Sequence, residues 1–280
     1  MWQLKVRGRK EALRLGLAIV VLAVALGSFA LKGHWRAKTT SRGDVLPDVV
    51  AGDRLCRPGG GNWASQSSKA LVVATSATCA VCRVDRTVEE EVLDAARATG
   101  LEAYVLLSPS PANDVFAAAL KANRLQVVRR VLHSIGVTRV PAIYVVDDSN
   151  HVISYWIGAV PSDRRPTLLA DLLQRKNFQS YRRISRTSFR QHVDTPGPRQ
   201  IIALDNSARS LPLPNTMLVI PLLQLGTRAE YELDKELETF VDCATASSPL
   251  QCQDAALTLI SKGFRQVTVL DLPQRPATCP

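Results

Sequence analysis

The sequence predicts an α/β protein: two successive α/β domains behind one N-terminal transmembrane helix. Three observations predict it. Residues 69–83 read K-A-L-V-V-A-T-S-A-T-C-A-V-C-R, where a short apolar run passes through a turn of small residues into a Cys-x-x-Cys pair. Polar and apolar residues then recur at helical spacing as far as Arg97. Downstream, Gly136 to Ile143 reads G-V-T-R-V-P-A-I and sets a proline just ahead of a second apolar run. From Ser180 the alternation of strand-like and helix-like segments begins again, which argues for a second layered structure on a parallel sheet.

The chain has 280 residues, a length that suits two domains, each with its own core. Its net charge of +10 raises the question of nucleic-acid binding, and the position of the charge answers it. Residues 1–42 hold nine Lys and Arg against the single acid Glu11, whereas the rest of the chain carries 26 basic and 24 acidic residues. The basicity therefore flanks an uncharged apolar run, Leu15 to Leu31, where it meets lipid headgroups. No nucleic-acid partner is expected. The run reads either as a retained membrane anchor or as a cleaved signal peptide ending near Ser28-Phe29-Ala30. Its 17 residues exceed the usual signal core and favour the anchor. Either way, the globular part is expected on the periplasmic or extracytoplasmic side. Six cysteines, Cys56, Cys79, Cys82, Cys243, Cys252 and Cys279, suit an oxidising compartment, although their connectivity does not follow from the sequence. The expected division is 1–42 for the basic N-terminus, anchor and linker, 43–176 for the first α/β domain and 177–280 for the second.

Taken in order, Arg57 to Asn62 is a turn-rich loop beside Cys56, for which no role is assigned. Leu71 to Ala74 is a buried strand, and Cys79 stands where a helix begins. Unpaired N–H groups and the positive end of the helix dipole favour a thiolate there, which makes Cys79 the nucleophile and Cys82, one turn on, the resolving thiol. The same letters also occur in a structural disulfide or half a zinc site. Zinc needs four ligands, and no second Cys-x-x-Cys or spaced His pair is present, so no metal is expected. Asp85 and Glu89 on this helix read as solvated charges. Glu102 to Leu107 is a strand, broken by Ser108-Pro109-Ser110-Pro111, and Asp114 to Ile135 is helical in pattern, with His133 on its surface. Ala142 to Val146 and His151 to Ile157 form a hairpin across Asp147 to Asn150, and Pro161 opens a last helix to Leu173.

This order of elements, with G-V-x-x-V-P after a CxxC helix, resembles the thioredoxin fold over roughly Gly43 to Lys176. Gly43 to Asp48, G-D-V-L-P-D, is similar to the opening of the thioredoxin-like domains of exported, membrane-anchored reductases. The resemblance implies that Pro141 is in the cis form and faces the Cys79–Cys82 pair, and that Val140 pairs with substrate backbone. It also marks departures. Thr78 stands where the family has Trp, Ala80-Val81 replaces Gly-Pro, and Val73 occupies the place of the buried acid that relays a proton to the second cysteine.

In the second domain, Gln200 to Leu204, Asn215 to Ile220, Glu238 to Cys243 and the run after Gly263 read as strands. Thr227 to Lys235 and Gln253 to Lys262 read as helices. Val241-Asp242-Cys243-Ala244-Thr245 followed by Cys252 to Ala256 resembles the second half of a rhodanese-like domain, in which Cys243 would carry sulfur. The loop Ala244 to Gln251 lacks the glycine and arginine of active sulfurtransferases. A degenerate scaffold held by a Cys243–Cys252 disulfide is the alternative.

The functional expectation is an exported, membrane-anchored thiol-disulfide oxidoreductase without a cofactor. Its partners would be protein thiols and disulfides, a membrane or exported redox protein, and membrane lipid through residues 15–31. An envelope adaptor with structural disulfides, or a sulfurtransferase using Cys243, are the other readings.

Overall fold

The computed structural model describes residues 48–122, 125–193, 197–204, 217–243, 246 and 248–272. The anchor predicted at Leu15 to Leu31 lies outside them, as does Cys279. Among the described residues, no helix is long and apolar enough to cross a membrane.

The run K-A-L-V-V-A-T forms β1, Lys69–Thr75, whose residues from Ala70 on are all buried. A strand buried on both faces needs the continuous apolar sequence seen here, and each large aliphatic side chain so buried stabilises the fold by about 1.5–3 kcal/mol. After β1 come α1, Ala80–Val84, and α2, Arg86–Ala98. They are separate: the predicted single helix breaks at Asp85, which caps one and opens the other. Then follow β2, Glu102–Leu107, and α3, Pro111–Ala122.

The long helix expected from Asp114 to Ile135 is not formed. After α3 the chain makes β3, Gln126–Arg129, and a turn of 3₁₀ helix, Leu132–Ile135. The physical reason lies in Val127 and Val128: both are β-branched, and β2 offers an open edge on which they pair in parallel register, Val127 opposite Val105. The apolar spacing imitated a helix that pairing overrode.

The hairpin follows as β4, Ala142–Asp147, and β5, Val152–Ile157. The first sheet has the order β3-β2-β1-β4-β5, with β1 to β3 parallel and β4 and β5 antiparallel. Helix α4, Arg165–Leu173, starts later than expected. Pro161 instead forms a turn whose carbonyl accepts from the Arg164 and Arg165 amides, and Pro166 lies in the helix's first turn.

The expected boundary after Lys176 is a connecting segment that runs beside β5. The Tyr155 amide donates to the Phe178 carbonyl and the Ser180 amide to the Tyr155 carbonyl. Beyond it come β6, Arg182–Ile184, α5, Arg186–Val193, β7, Arg199–Ala203, and β8, Met217–Val219. The chain continues with α6, Leu222–Glu232, β9, Glu238–Asp242, α7, Pro249–Ser261, and β10, Val267–Leu270. Both helices begin upstream of their predicted starts, at residues that follow Pro221 and Ser248. The second sheet is parallel throughout, in the order β6-β10-β9-β7-β8.

Alternation sorts the second sheet's side chains between two faces. Ile201, Phe240 and Leu270 pack with Phe189 of α5 in a small core. Their neighbours Ile202, Val241 and Val269 join a larger cluster with Ala255, Ala256 and Leu259 of α7. That cluster also contains the core of the first sheet, so one apolar core runs under both sheets.

Candidate active site

The turn Ser76 to Thr78 carries the chain from the end of β1 to Cys79. Its position is set by Asn113 of α3, a buried side chain that accepts from the Ala77 amide at 2.8 Å and donates to the Ser108 carbonyl at 2.8 Å. Sequence reasoning missed Asn113, because nothing in its neighbourhood distinguishes it from a helix-surface amide.

Cys79 is the N-cap of α1, and its sulfur accepts from the Cys82 amide at 3.0 Å. This N–H stabilises negative charge on the Cys79 sulfur and lowers the cost of the thiolate. The two cysteines form a disulfide. Cys79 is partly exposed, whereas Cys82 is completely buried. An incoming thiol can therefore reach the Cys79 sulfur of this disulfide, whereas that of Cys82 is shielded.

Opposite the pair lies the segment that precedes β4. The Val140–Pro141 peptide is cis, and the Val140 carbonyl oxygen is 3.6 Å from the Cys79 sulfur. Two residues named from sequence, Cys79 and Val140, thus meet from positions about sixty apart, with Pro141 joined to Val140 by the cis bond. Val140 is half-buried, which leaves one side of this segment open to a visitor.

Asp85 and Glu89 differ from expectation: neither is solvated. Asp85 is buried where α1 meets α2 and accepts from the Val160 amide at 2.9 Å. Burial pushes its carboxyl up, and the Val160 hydrogen bond opposes this. Glu89 is buried against the first sheet and accepts from the Thr75 hydroxyl at 2.8 Å. Burial drives its carboxyl up to about 7, against the hydrogen bond from Thr75 and the charge of Arg86. The helical period groups residues 85, 88, 89, 92 and 96 on one stripe, but nothing local shows that another element covers it. A small cavity lined by Thr75, Arg86, Glu89 and Phe116 adjoins the carboxyl, and the Arg86 guanidinium lies 4.1 Å from the Phe116 ring centre.

The segment ahead of Val140 is held by Asp48, also missed from sequence although it closes the L-P-D stretch. Its carboxylate, fully buried, accepts from the backbone amides of Thr138 and Arg139, from the Thr138 hydroxyl and from the Arg139 guanidinium.

Cys243 and Cys252 are also joined as a disulfide, which links the end of β9 to the second turn of α7. Cys56 is disulfide-bonded as well. Among the described residues, no group of three or more His, Cys, Asp or Glu side chains could hold a metal ion.

No protein-family model matches this sequence. No curated protein matches it either. Among solved structures, the chain is similar to the thioredoxin domain of a thiol-disulfide oxidoreductase from Bacteroides vulgatus, at 14% identity and a TM-score of 0.34 over 45% of this chain and 99% of that one. It is similar to a thiol-disulfide isomerase from Corynebacterium glutamicum, at 14% identity and a TM-score of 0.32 over 47% and 97%. It is also similar to StoA from Bacillus subtilis, at 12% identity and a TM-score of 0.31 over 45% and 97%.

Proposed function

We propose that this chain is an exported, membrane-anchored thiol-disulfide oxidoreductase of thioredoxin type that acts on cysteines of partner proteins. One observation carries the reading: a partly exposed Cys79 sulfur, met by the Cys82 amide and lying 3.6 Å from the Val140 carbonyl, with Cys82 buried behind it. In the reducing direction, the Cys79 thiolate attacks one sulfur of a substrate disulfide; the substrate S–S bond breaks and the released thiolate takes up a proton. The Cys82 thiolate then attacks the Cys79 sulfur of the mixed disulfide, and the second substrate thiol leaves. The substrate gains two electrons and two protons, and the Cys79–Cys82 disulfide forms. The reverse sequence oxidises a substrate dithiol. The basic flanks and apolar run of residues 1–42 support anchoring, and the six cysteines support an oxidising compartment.

For the C-terminal half we propose a rhodanese-like scaffold. The parallel sheet, with Cys243 at the end of an inner strand and a helix following, supports that architecture. The Cys243–Cys252 disulfide favours a staple over a sulfur carrier, because it occupies the sulfur that transfer would need.

Replacing Cys82 with Ser removes the resolving thiol, so partner proteins should accumulate as mixed disulfides on Cys79. Non-reducing electrophoresis of cells trapped with acid and alkylated would display them. Absence of any adduct, with the variant folded and exported, would sink the exchange reading.

A further inference from the structure

The segment that faces Cys79 is gripped from the C-terminal half of the molecule. Arg139 comes immediately before Val140, and its guanidinium has five acceptors on three parts of the chain, one of them the neighbouring Thr138 hydroxyl at 3.3 Å. Nη1 donates to Asp48 Oδ2 and to Gln253 Oε1, both at 2.8 Å. Nη2 donates to Asp254 Oδ1 at 2.6 Å and reaches the Leu250 carbonyl at 3.5 Å. Leu250, Gln253 and Asp254 all belong to α7. The side chain is only 22% exposed, so its charge is largely desolvated and requires these partners. A planar fork of five N–H groups meets this set; a lysine ammonium, a point donor on a flexible stem, does not.

The grip extends into the backbone. Asp48 binds the Arg139 guanidinium and also the Thr138 and Arg139 amides, and its own amide donates to Gln253 Oε1 at 2.9 Å. Gln253 is fully buried and donates in turn to the Tyr181 hydroxyl at 2.6 Å. The two residues ahead of Val140 are thereby referenced to α7, whose second turn is tied to β9 through Cys252.

We infer that Arg139 is a positioning residue for thiol-disulfide exchange: it acts through Val140, holding the docking backbone against Cys79, and makes α7 of the C-terminal half part of the exchange site. The inference rests on the exchange reading proposed above and names the device that sets substrate binding in it.

The test follows single turnovers of two disulfides by the detergent-solubilised full chain, reduced beforehand, with KM and kcat read as the half-saturating concentration and the saturated rate. One is a disulfide-bonded peptide, whose backbone can pair with Val140. The other is dithiobis-nitrobenzoate, a small aromatic disulfide with no peptide backbone. Arg139→Lys is expected to raise KM for the peptide about tenfold with a much smaller change in kcat, and to slow the aromatic disulfide far less. Asp254→Ala, at a half-exposed position, should move the peptide KM the same way by a few-fold, and combining the two should add little to Arg139→Lys alone. Equal losses on both disulfides, or an unchanged peptide KM in folded variants, would overturn the inference. If Arg139→Lys does not fold, the Asp254→Ala comparison decides by the same criteria. A wild-type chain that reacts with neither disulfide through Cys79 refutes the exchange reading itself, a result distinct from any difference between variants.

Discussion

Glu89 shows how one side chain ties stability to pH. Its carboxyl is buried, takes a hydrogen bond from Thr75 and titrates near 7 rather than near 4.5. A folded-state value above the unfolded one means that the neutral form is the one the fold accommodates. Its contribution is fully present below pH 4.5 and is lost as pH rises through about 7. Glu89→Gln keeps an acceptor for Thr75 and removes the titration. The wild type should therefore match the variant in stability at pH 4 and fall behind it by on the order of 3 kcal/mol at pH 8. Urea denaturation of both proteins across that range would measure the gap; a gap that does not change with pH would contradict the burial argument. At the same scale, Cys79 and Cys82 differ in access rather than in kind, and under the proposed exchange that difference would give first attack to Cys79 and resolution to Cys82.

Among the elements, α7 carries the most connections of different kinds. It packs Ala255, Ala256 and Leu259 on the second sheet, holds Arg139 through Gln253 and Asp254, and is joined to β9 through Cys252. The disulfide spans nine residues of sequence, and closing a loop of that size stabilises a fold by about 3 kcal/mol in the chain-entropy account. Replacing Cys243 and Cys252 together with Ala should lower the thermal midpoint by roughly 5–10 °C for a chain of this length. If the pair is a staple, the rate with the aromatic disulfide should change little. Calorimetry reads the first effect and absorbance the second. A large loss of rate with an unchanged midpoint would instead give this disulfide a chemical role. The edge strand β3 teaches a different lesson: four residues, two of them β-branched, formed a strand inside a helical pattern because β2 had a free edge beside them.

At the scale of the molecule, the two sheets share one apolar core, and polar ties cross between the halves. Besides the Arg139 clamp, the Arg183 guanidinium in β6 donates to the buried Asp53 carboxylate at 3.0 Å and to the Ala51 carbonyl at 3.1 Å. A chain cut after Lys176 would expose apolar surface, leave Asp53 without Arg183 and deprive Arg139 of Gln253 and Asp254. Such a fragment is expected to melt well below the intact protein and to self-associate, whereas the intact protein should unfold in a single calorimetric transition. Two separated transitions, with the first half unaffected by truncation, would contradict this.

Local pattern was enough to read β1, β2, the β4–β5 hairpin, the Cys79 helix start and the parallel second sheet. Each depends on contiguous residues: apolar runs, a proline before a strand, alternation of segments. The same locality made Cys79 and Cys82 nameable, since their spacing is itself a motif, whereas Val140 and Pro141 were named through the resemblance to the thioredoxin fold. Tertiary structure alone decided the burial of Asp85 and Glu89, the strand β3, the roles of Asn113 and Asp48, and the grip of α7 on Arg139. In each of these, the partner that determines the outcome lies far away in sequence: Asp254 stands 115 positions from Arg139. A charge on a helix reads as solvated until another element covers it, and no local periodicity records which element will.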